Sequence, residues 1–187
     1  MIAKRRNPEA TRQDLIEAAA HAFNSDGFWA TDTNKIARAA GYAPQTFYRH
    51  FEDKTAIFIA VYDAWWLAES AALARLDAKR ADRAALAARV AIKFHSEWRI
   101  FRRSLRHLSL EDPRVRARRA EARAAQIERA KAISRVKRSD GEWLALLLAS
   151  ERICDAVAED EFADCDVSKR AAMAAVARAV GPLVGAD

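Results

Sequence analysis

The chain of 187 residues has only two cysteines, and neither Cys154 nor Cys165 belongs to a C-x-x-C pair. Two are too few for a disulfide framework, so both are expected to be buried thiols. Five glycines and four prolines are few, and runs alternating between apolar and polar residues are missing. That excludes a strand-rich reading, and the dominance of Ala, Leu, Arg and Glu predicts an all-α protein. No apolar run approaches the roughly 18 residues that a membrane-crossing helix needs. The opening MIAKRRNPEA lacks the apolar centre of a signal peptide, so a cytoplasmic protein with no membrane partner is expected. A Gly-rich phosphate loop and a paired-carboxylate signature are also absent, and Ser96 beside His95 does not make a nucleophile and base by adjacency alone. His95 and His107, with Glu111 and Asp112, show no metal-ligand spacing. Neither catalysis nor a metal or other cofactor is expected.

What is present starts with apolar residues at 51% of the chain, enough for a sizeable core. The most informative stretch is Asp32 to Lys54, DTNKIARAAGYAPQTFYRHFEDK. Ile36, Ala37 and Ala40 share one face of a helix that Asp32 can cap. Gly41 ends it, and Pro44 suits the first position of the next helix, Pro44 to His50. Phe47 and Phe51 anchor that second helix inward, and Ala37 is small where it crosses. Gln45, Thr46, Tyr48, Arg49 and His50 then fan outward. Gln45 can pair with adenine in a major groove, and the edge of Pro44 can pack on a thymine methyl. Thr46, Tyr48 and Lys54 suit phosphate oxygens, while Arg49 and His50 fit either class.

The pieces T11-R12-x-x-L15-I16-x-A18-A19, F23-x-x-x-G27-F28, Thr31, I36-A37-x-x-A40-G41 and T46-F47-Y48-R49-H50-F51-x-D53-K54 resemble the DNA-binding domain of the tetracycline-repressor (TetR) family of bacterial transcription regulators. The resemblance covers residues 11 to 58. It implies an N-terminal three-helix helix-turn-helix domain, residues 1–54, joined by a long helix to an α-helical effector-binding and dimerisation domain, residues 55–187. The implied partners are a double-stranded DNA operator, a small-molecule effector and a second copy of the chain. Candidate DNA-binding residues are Thr33, Lys35, Tyr42, Pro44, Gln45, Thr46, Tyr48, Arg49, His50 and Lys54. Three positions depart from the family's pattern: Thr33 where an aliphatic residue is common, Lys35 where an acid is frequent, and Ala43 in place of a Ser or Thr cap. A helical adaptor or ligand carrier that does not read DNA is the alternative.

The net charge of +6 is unevenly spread. Residues 1–54 hold eight Lys and Arg against seven Asp and Glu, residues 99–138 fourteen against four, and residues 139–187 four against ten. The middle and the end of the chain are therefore complementary in sign. Residues 1–6, with Lys4, Arg5 and Arg6, read either as a basic arm along phosphates or as a solvated end.

The rest reads as successive helices. Asn7 and Pro8 open the first, Asp53 caps a long one to about Arg80, and others follow from Asp82 to Lys93 and on to Ser109. Asp112 and Pro113 start the next, to about Arg138, and the last two run to about Glu159 and from Ser168 to Val184. Trp65, Trp66, Phe94, Trp98 and Phe101 are candidates to line a pocket for an aromatic or acyl effector, with His107 orienting it. A plain core stripe is the other reading of the same spacing. Arg99, Arg102, Arg103 and Arg106 form a cationic strip, either for an anionic ligand such as an acyl-coenzyme A or paired with the acidic end of the chain. Trp143, Leu147, Cys154, Ala171 and Ala175 are the candidate dimer interface, because a helix apolar on two faces needs two partners.

Overall fold

The structure is a computed structural model that describes residues 7–77 and 79–186. Those residues form helices α1 Pro8–Ser25, α2 Thr33–Ala39, α3 Pro44–Phe47, α4 Lys54–Ala74, α5 Arg83–Glu97, α6 Arg99–Glu111, α7 Pro113–Ile133, α8 Asp140–Ala158, α9 Glu161–Asp164 and α10 Lys169–Val180, then a 3-10 turn Pro182–Val184. No strand occurs among them. The basic arm lies outside the described residues.

Several ends follow from side chains named in the sequence. The Asn7 carboxamide accepts from Glu9 N at 3.1 Å ahead of Pro8, and Gly27 leaves the head's first helix at φ +80°, where a Cβ would be strained. Asp53 caps α4 through Ala56 N at 2.8 Å, and Ser139 and Glu142 form a reciprocal capping box on α8.

Other ends fall earlier than expected. α4 stops at Ala74, where its buried stripe runs out and Asp77 turns back to accept from Lys79 N at 2.9 Å. α7 stops at Ile133 because Ser134 takes an extended conformation, ψ 143°. α10 stops at Val180, ahead of Gly181 and a proline that cannot supply a helical N–H. The four-residue α9 follows Asp160, which sits at φ 61°, and was not expected.

α4 is the axis of the molecule. It is long and apolar enough to cross a membrane, contrary to the expectation that no such stretch exists. Its apolarity has a local cause: α4 packs on α1, α5 and α7, burying Ile57, Phe58, Val61, Tyr62, Trp65 and Trp66. One core runs without interruption from the head into the second half. Phe23 meets Phe58 at 5.1 Å between ring centroids, and Phe58 stacks on Phe101 of α6 at 4.6 Å. The head is further fastened to the end of α5 by Asn24 Nδ2 donating to Glu97 O at 2.7 Å, and to α6 by Phe28 N donating to Ser104 Oγ at 3.1 Å. A second core joins α5, α8 and α10 around Ala88, Ala91, Cys154 and Val176.

Candidate nucleic-acid interface and interior cavity

The helix-turn-helix is built on three contacts. Asp32 accepts from Lys35 N at 2.7 Å to start α2. Gly41 takes φ +80°, and Tyr42 N then donates to Ala37 O at 2.9 Å, turning the chain sharply. Ile36, Ala37 and Phe47 are fully buried, so the two helices are locked by their small and aromatic residues. α3 is regular only from Pro44 to Phe47, with no side-chain cap at Ala43. Its continuation to His50 is a run of turns in which His50 N bonds Phe47 O at 2.9 Å.

This places the ten candidate DNA-binding residues in three groups. Gln45, Tyr48 and Arg49 are exposed on the outer face, with Pro44, Thr46 and His50 half-exposed beside them. Thr33 joins this face, its hydroxyl 3.0 Å from the Tyr48 hydroxyl. Lys35 is exposed but ion-paired with Asp26, whose carboxyl the Lys35 hydrogen bond holds below its ordinary range. Tyr42 and Lys54 face inward. The Tyr42 hydroxyl donates to Asp14 at 2.6 Å, tying the turn to α1. Lys54 Nζ donates to Phe28 O at 2.8 Å and Thr31 O at 2.9 Å and sits 4.1 Å from the centroid of the Phe28 ring, where burial lowers its pKa. The phosphate role expected of Lys54 is therefore corrected: two of its three N–H bonds already hold the loop between α1 and α2 in place.

Below the head, a cavity of about 370 Å³ opens among α4, α5, α7, α8 and the C-terminal turn. Its walls are Leu73, Ala91, Ile133, Leu147, Val180 and Leu183, with Glu69, His95, Ser150, Glu151, Arg83 and Arg129 as the polar groups. None of the six aromatic and histidine candidates is in the lining. Trp65 and Phe101 are core residues, and the Arg102 guanidinium covers the Trp65 ring at 4.8 Å. Trp66 is buried beneath Arg129, and Phe94 and Trp98 pack against the core from its edge. His107 is exposed, with Nε2 2.8 Å from Glu111 Oε1 and its ring 4.7 Å from that of Trp29.

The cavity floor carries a buried ionic network. His95 Nδ1 lies 2.8 Å from Asp155 Oδ1, and Nε2 faces Glu69 Oε1 at 3.6 Å. Arg102 donates to both Asp155 oxygens, at 3.0 and 3.2 Å. Burial pushes Glu69 up to about 7, against the pull of Arg102. Burial and Arg102 bring His95 down to about 4. For Asp155, burial is outweighed by the His95 hydrogen bond and Arg102, which hold its carboxyl far below the usual range. At neutral pH a neutral imidazole thus shares the floor with a Glu69 that lies close to its titration midpoint.

The cationic strip resolves into pairs with the acidic end of the chain. Arg103 binds Glu159, and Arg106 contacts Asp155 at 2.7 Å and Glu159 at 3.5 Å, while Arg99 stays exposed. The expected interface residues divide as well. Trp143 is 1% exposed under Arg138, Leu147 lines the cavity, and Cys154 is in the second core with its thiol pushed up by burial. These three point inward, because the residues of α8 that face outward are Leu144 and Leu148, 40% and 41% exposed. Ala171 is exposed and Ala175 half-buried on α10. Cys165 is exposed, not buried.

Fold and sites together define an all-helical protein with a helix-turn-helix head and a cavity-bearing helical body. Residues 15–61 match the family model described as bacterial regulatory proteins, tetR family. The HTH-type transcriptional regulator AcrR of Shigella flexneri is 35% identical over 71 residues, covering 37% of this chain and 32% of that protein. The chain thus matches only about a third of that relative's length. Among solved structures, a candidate TetR-family regulator from Rhodococcus sp. superposes with a TM-score of 0.70 at 19% identity, over 94% of this chain and 100% of that one. A tetR-family regulatory protein from Rhodococcus RHA1 gives 0.63 at 19% identity, over 94% and 97%. Residues 15–61 thus carry a match to the tetR-family regulatory domain, and the chain as a whole has the fold of the TetR-family structures on which it superposes.

Proposed function

We propose that the protein is a ligand-responsive transcriptional repressor that binds a palindromic operator as a dimer and is released by a small molecule. The observation that carries this reading is the pairing of an outward face of Gln45, Tyr48 and Arg49 with a cavity walled in part by α4, the helix that begins at that head. The side chains of Gln45 and Arg49 make no hydrogen bond among the described residues, and both are exposed, which leaves them available for base edges and phosphates. Two such heads reach successive major grooves when spaced about 34 Å apart or a multiple of it. The exposed Leu144 and Leu148 of α8 and Ala171 of α10 supply surface for a four-helix contact between copies. The sign of regulation follows the similarity of the head to an acrEF/envCD operon repressor of Escherichia coli, 46% identical over 59 residues, 30% of this chain and 27% of that protein.

The effector fits the cavity if it is mostly apolar and carries one polar group for Glu69 and His95. It must favour the DNA-free state, since a ligand with equal affinity for both states shifts nothing. Selection of bound sequences from random DNA, followed by a salt-dependent gel shift, tests the head. A palindromic consensus is expected, whereas an adaptor or carrier would return no sequence preference. A thermal-shift screen of aromatic and acyl compounds then tests the cavity.

A further inference from the structure

On the opposite side of Glu151 from this cavity lies a second cleft of about 390 Å³, formed by α6, α7 and α8. Five arginines line it, Arg106, Arg116, Arg119, Arg123 and Arg152, against two carboxylates, Glu151 and Asp155. Both carboxylates are shared. Glu151 accepts from Arg119 at 2.7 Å and from Arg123 at 2.6 Å. Asp155 already takes Arg102 and His95 before Arg106 reaches it. Nη1 of Arg106 is 2.7 Å from Asp155 Oδ2 yet lacks hydrogen-bond alignment, so a buried N–H there is left unmatched. Arg116 meets no carboxylate; it donates to the Ser109 and Leu110 carbonyls at 3.1 and 2.7 Å.

The excess of positive charge has a cost in the fold. Arg119 is only 6% exposed, and burial lowers its pKa; Glu151 opposes this, but Arg123 and Arg102 add to it. Arg152 and Arg106 also reach Glu161 and Glu159, which leaves Arg116 as the lining guanidinium without a carboxylate among the described residues; several guanidinium groups converging on a cleft is the arrangement that recognises a compact polyanion by forked N–H donation. The exposed Leu110 gives the same cleft an apolar rim, and Leu148 at its other edge belongs to the surface proposed above for contact between copies.

We infer that the cleft between α6, α7 and α8 is a second ligand site, separate from the effector cavity, that binds a phosphate-type polyanion through Arg116, Arg123 and Arg106. The anion supplies the acceptors that Glu151 and Asp155 cannot, while the Ser109 hydroxyl is already spent on the Leu105 carbonyl at 2.6 Å and holds Arg119 at 3.0 Å. Glu151 forms a wall of both spaces, so the two sites share one carboxylate.

The test is calorimetric titration of the full chain with inorganic pyrophosphate at fixed ionic strength, with no DNA present. Wild type is expected to bind one equivalent per chain. Arg116→Gln removes an exposed guanidinium without breaking an ion pair, and is expected to weaken binding about tenfold, the loss of one charge-assisted contact. Arg123→Gln should do the same, and Arg116→Gln stands alone if that variant does not fold. Arg135→Gln, an equal loss of charge away from the cleft, should leave binding unchanged. Three results would overturn the inference: no binding by wild type, equal binding by wild type and Arg116→Gln, or equal weakening by Arg135→Gln and Arg116→Gln. The first of these would leave the cleft as a surface covered by a second copy, and the others would assign pyrophosphate to the head or to general charge.

Discussion

Glu69 and His95 face each other at 3.6 Å on the cavity floor, and their protonation equilibria are displaced in opposite directions. Burial moves Glu69 from 4.5 up to about 7, while burial and Arg102 move His95 from 6.5 down to about 4. Asp155, Glu151 and Cys154 from α8 complete the set of titratable groups around them. Between pH 4.5 and 6.5 the unfolded chain carries its proton on His95, and the folded chain carries one on Glu69. Both states hold the same number, so the pair adds almost no slope to stability in that window.

Either substitution exposes the hidden partner. In Glu69→Gln only His95 remains. Its folded pKa lies below its unfolded one, so the unfolded state binds the extra proton and stability climbs from about pH 4 to 6.5. In His95→Gln only Glu69 remains. Its folded pKa lies above its unfolded one, so its contribution is present below 4.5 and is lost as pH rises to about 7. Each displacement corresponds to about 3 kcal/mol across its window, with a slope approaching ~1.4 kcal/mol per pH unit. Urea denaturation at four pH values between 4.5 and 7.5 reads this as the difference between each variant and wild type. Two difference profiles of opposite sign are expected. Flat profiles for both would refute the assignment of opposed protonation to this pair.

Three further outcomes are accessible. Gln45→Ala should relax preference at one base pair by about 1–3 kcal/mol while leaving others intact, measured by comparing selected sequences for the two proteins. Lys54→Met should lower stability by about 1–3 kcal/mol, because the Phe28 and Thr31 carbonyls lose their donor; an unchanged melting temperature with weakened DNA binding would restore the phosphate role. Leu148→Glu should convert the dimer to monomer in sedimentation at micromolar concentration, since Leu148 is an exposed apolar residue of α8; a persistent dimer would place the interface elsewhere.

The head was legible because its signals are local. Asp32, Gly41, Pro44 and Phe47 each act on the backbone or the neighbouring helix within a few residues, and the structure uses each as its chemistry predicts. The inner direction of Lys54 was not, because its partners Phe28 and Thr31 belong to a distant loop. The cavity was missed for a related reason. Aromatic density marked Trp65, Trp98 and Phe101, yet large rings at helical spacing fill a core more readily than they line a void. A usable signal did exist: Glu69, His95 and Asp155 each interrupt the buried stripe of their own helix, following Trp65, Ala91 and Cys154 respectively. A titratable residue on a core face must find partners or border a cavity, and these three do both.

The same contacts constrain how a ligand in the body could move the heads. α4 alone is a poor lever, because its first half is fused to the head and to α6 through Phe23, Phe58 and Phe101. Phe101 N donating to Asn24 Oδ1 at 3.4 Å and Phe28 N donating to Ser104 Oγ at 3.1 Å add hydrogen bonds between head and α6, which couples head, early α4 and α6. Two of the places where that coupled unit meets the cavity side of the protein are the Trp65 to Glu69 segment of α4 and the Arg102 to Asp155 ion pair between α6 and α8. A ligand group engaging Glu69 or His95 acts on both, since His95 bridges Glu69 and Asp155. For the ligand response proposed above, that triad is the natural place for differential affinity: a ligand group that draws His95 away from Asp155 would change how firmly Asp155 holds Arg102.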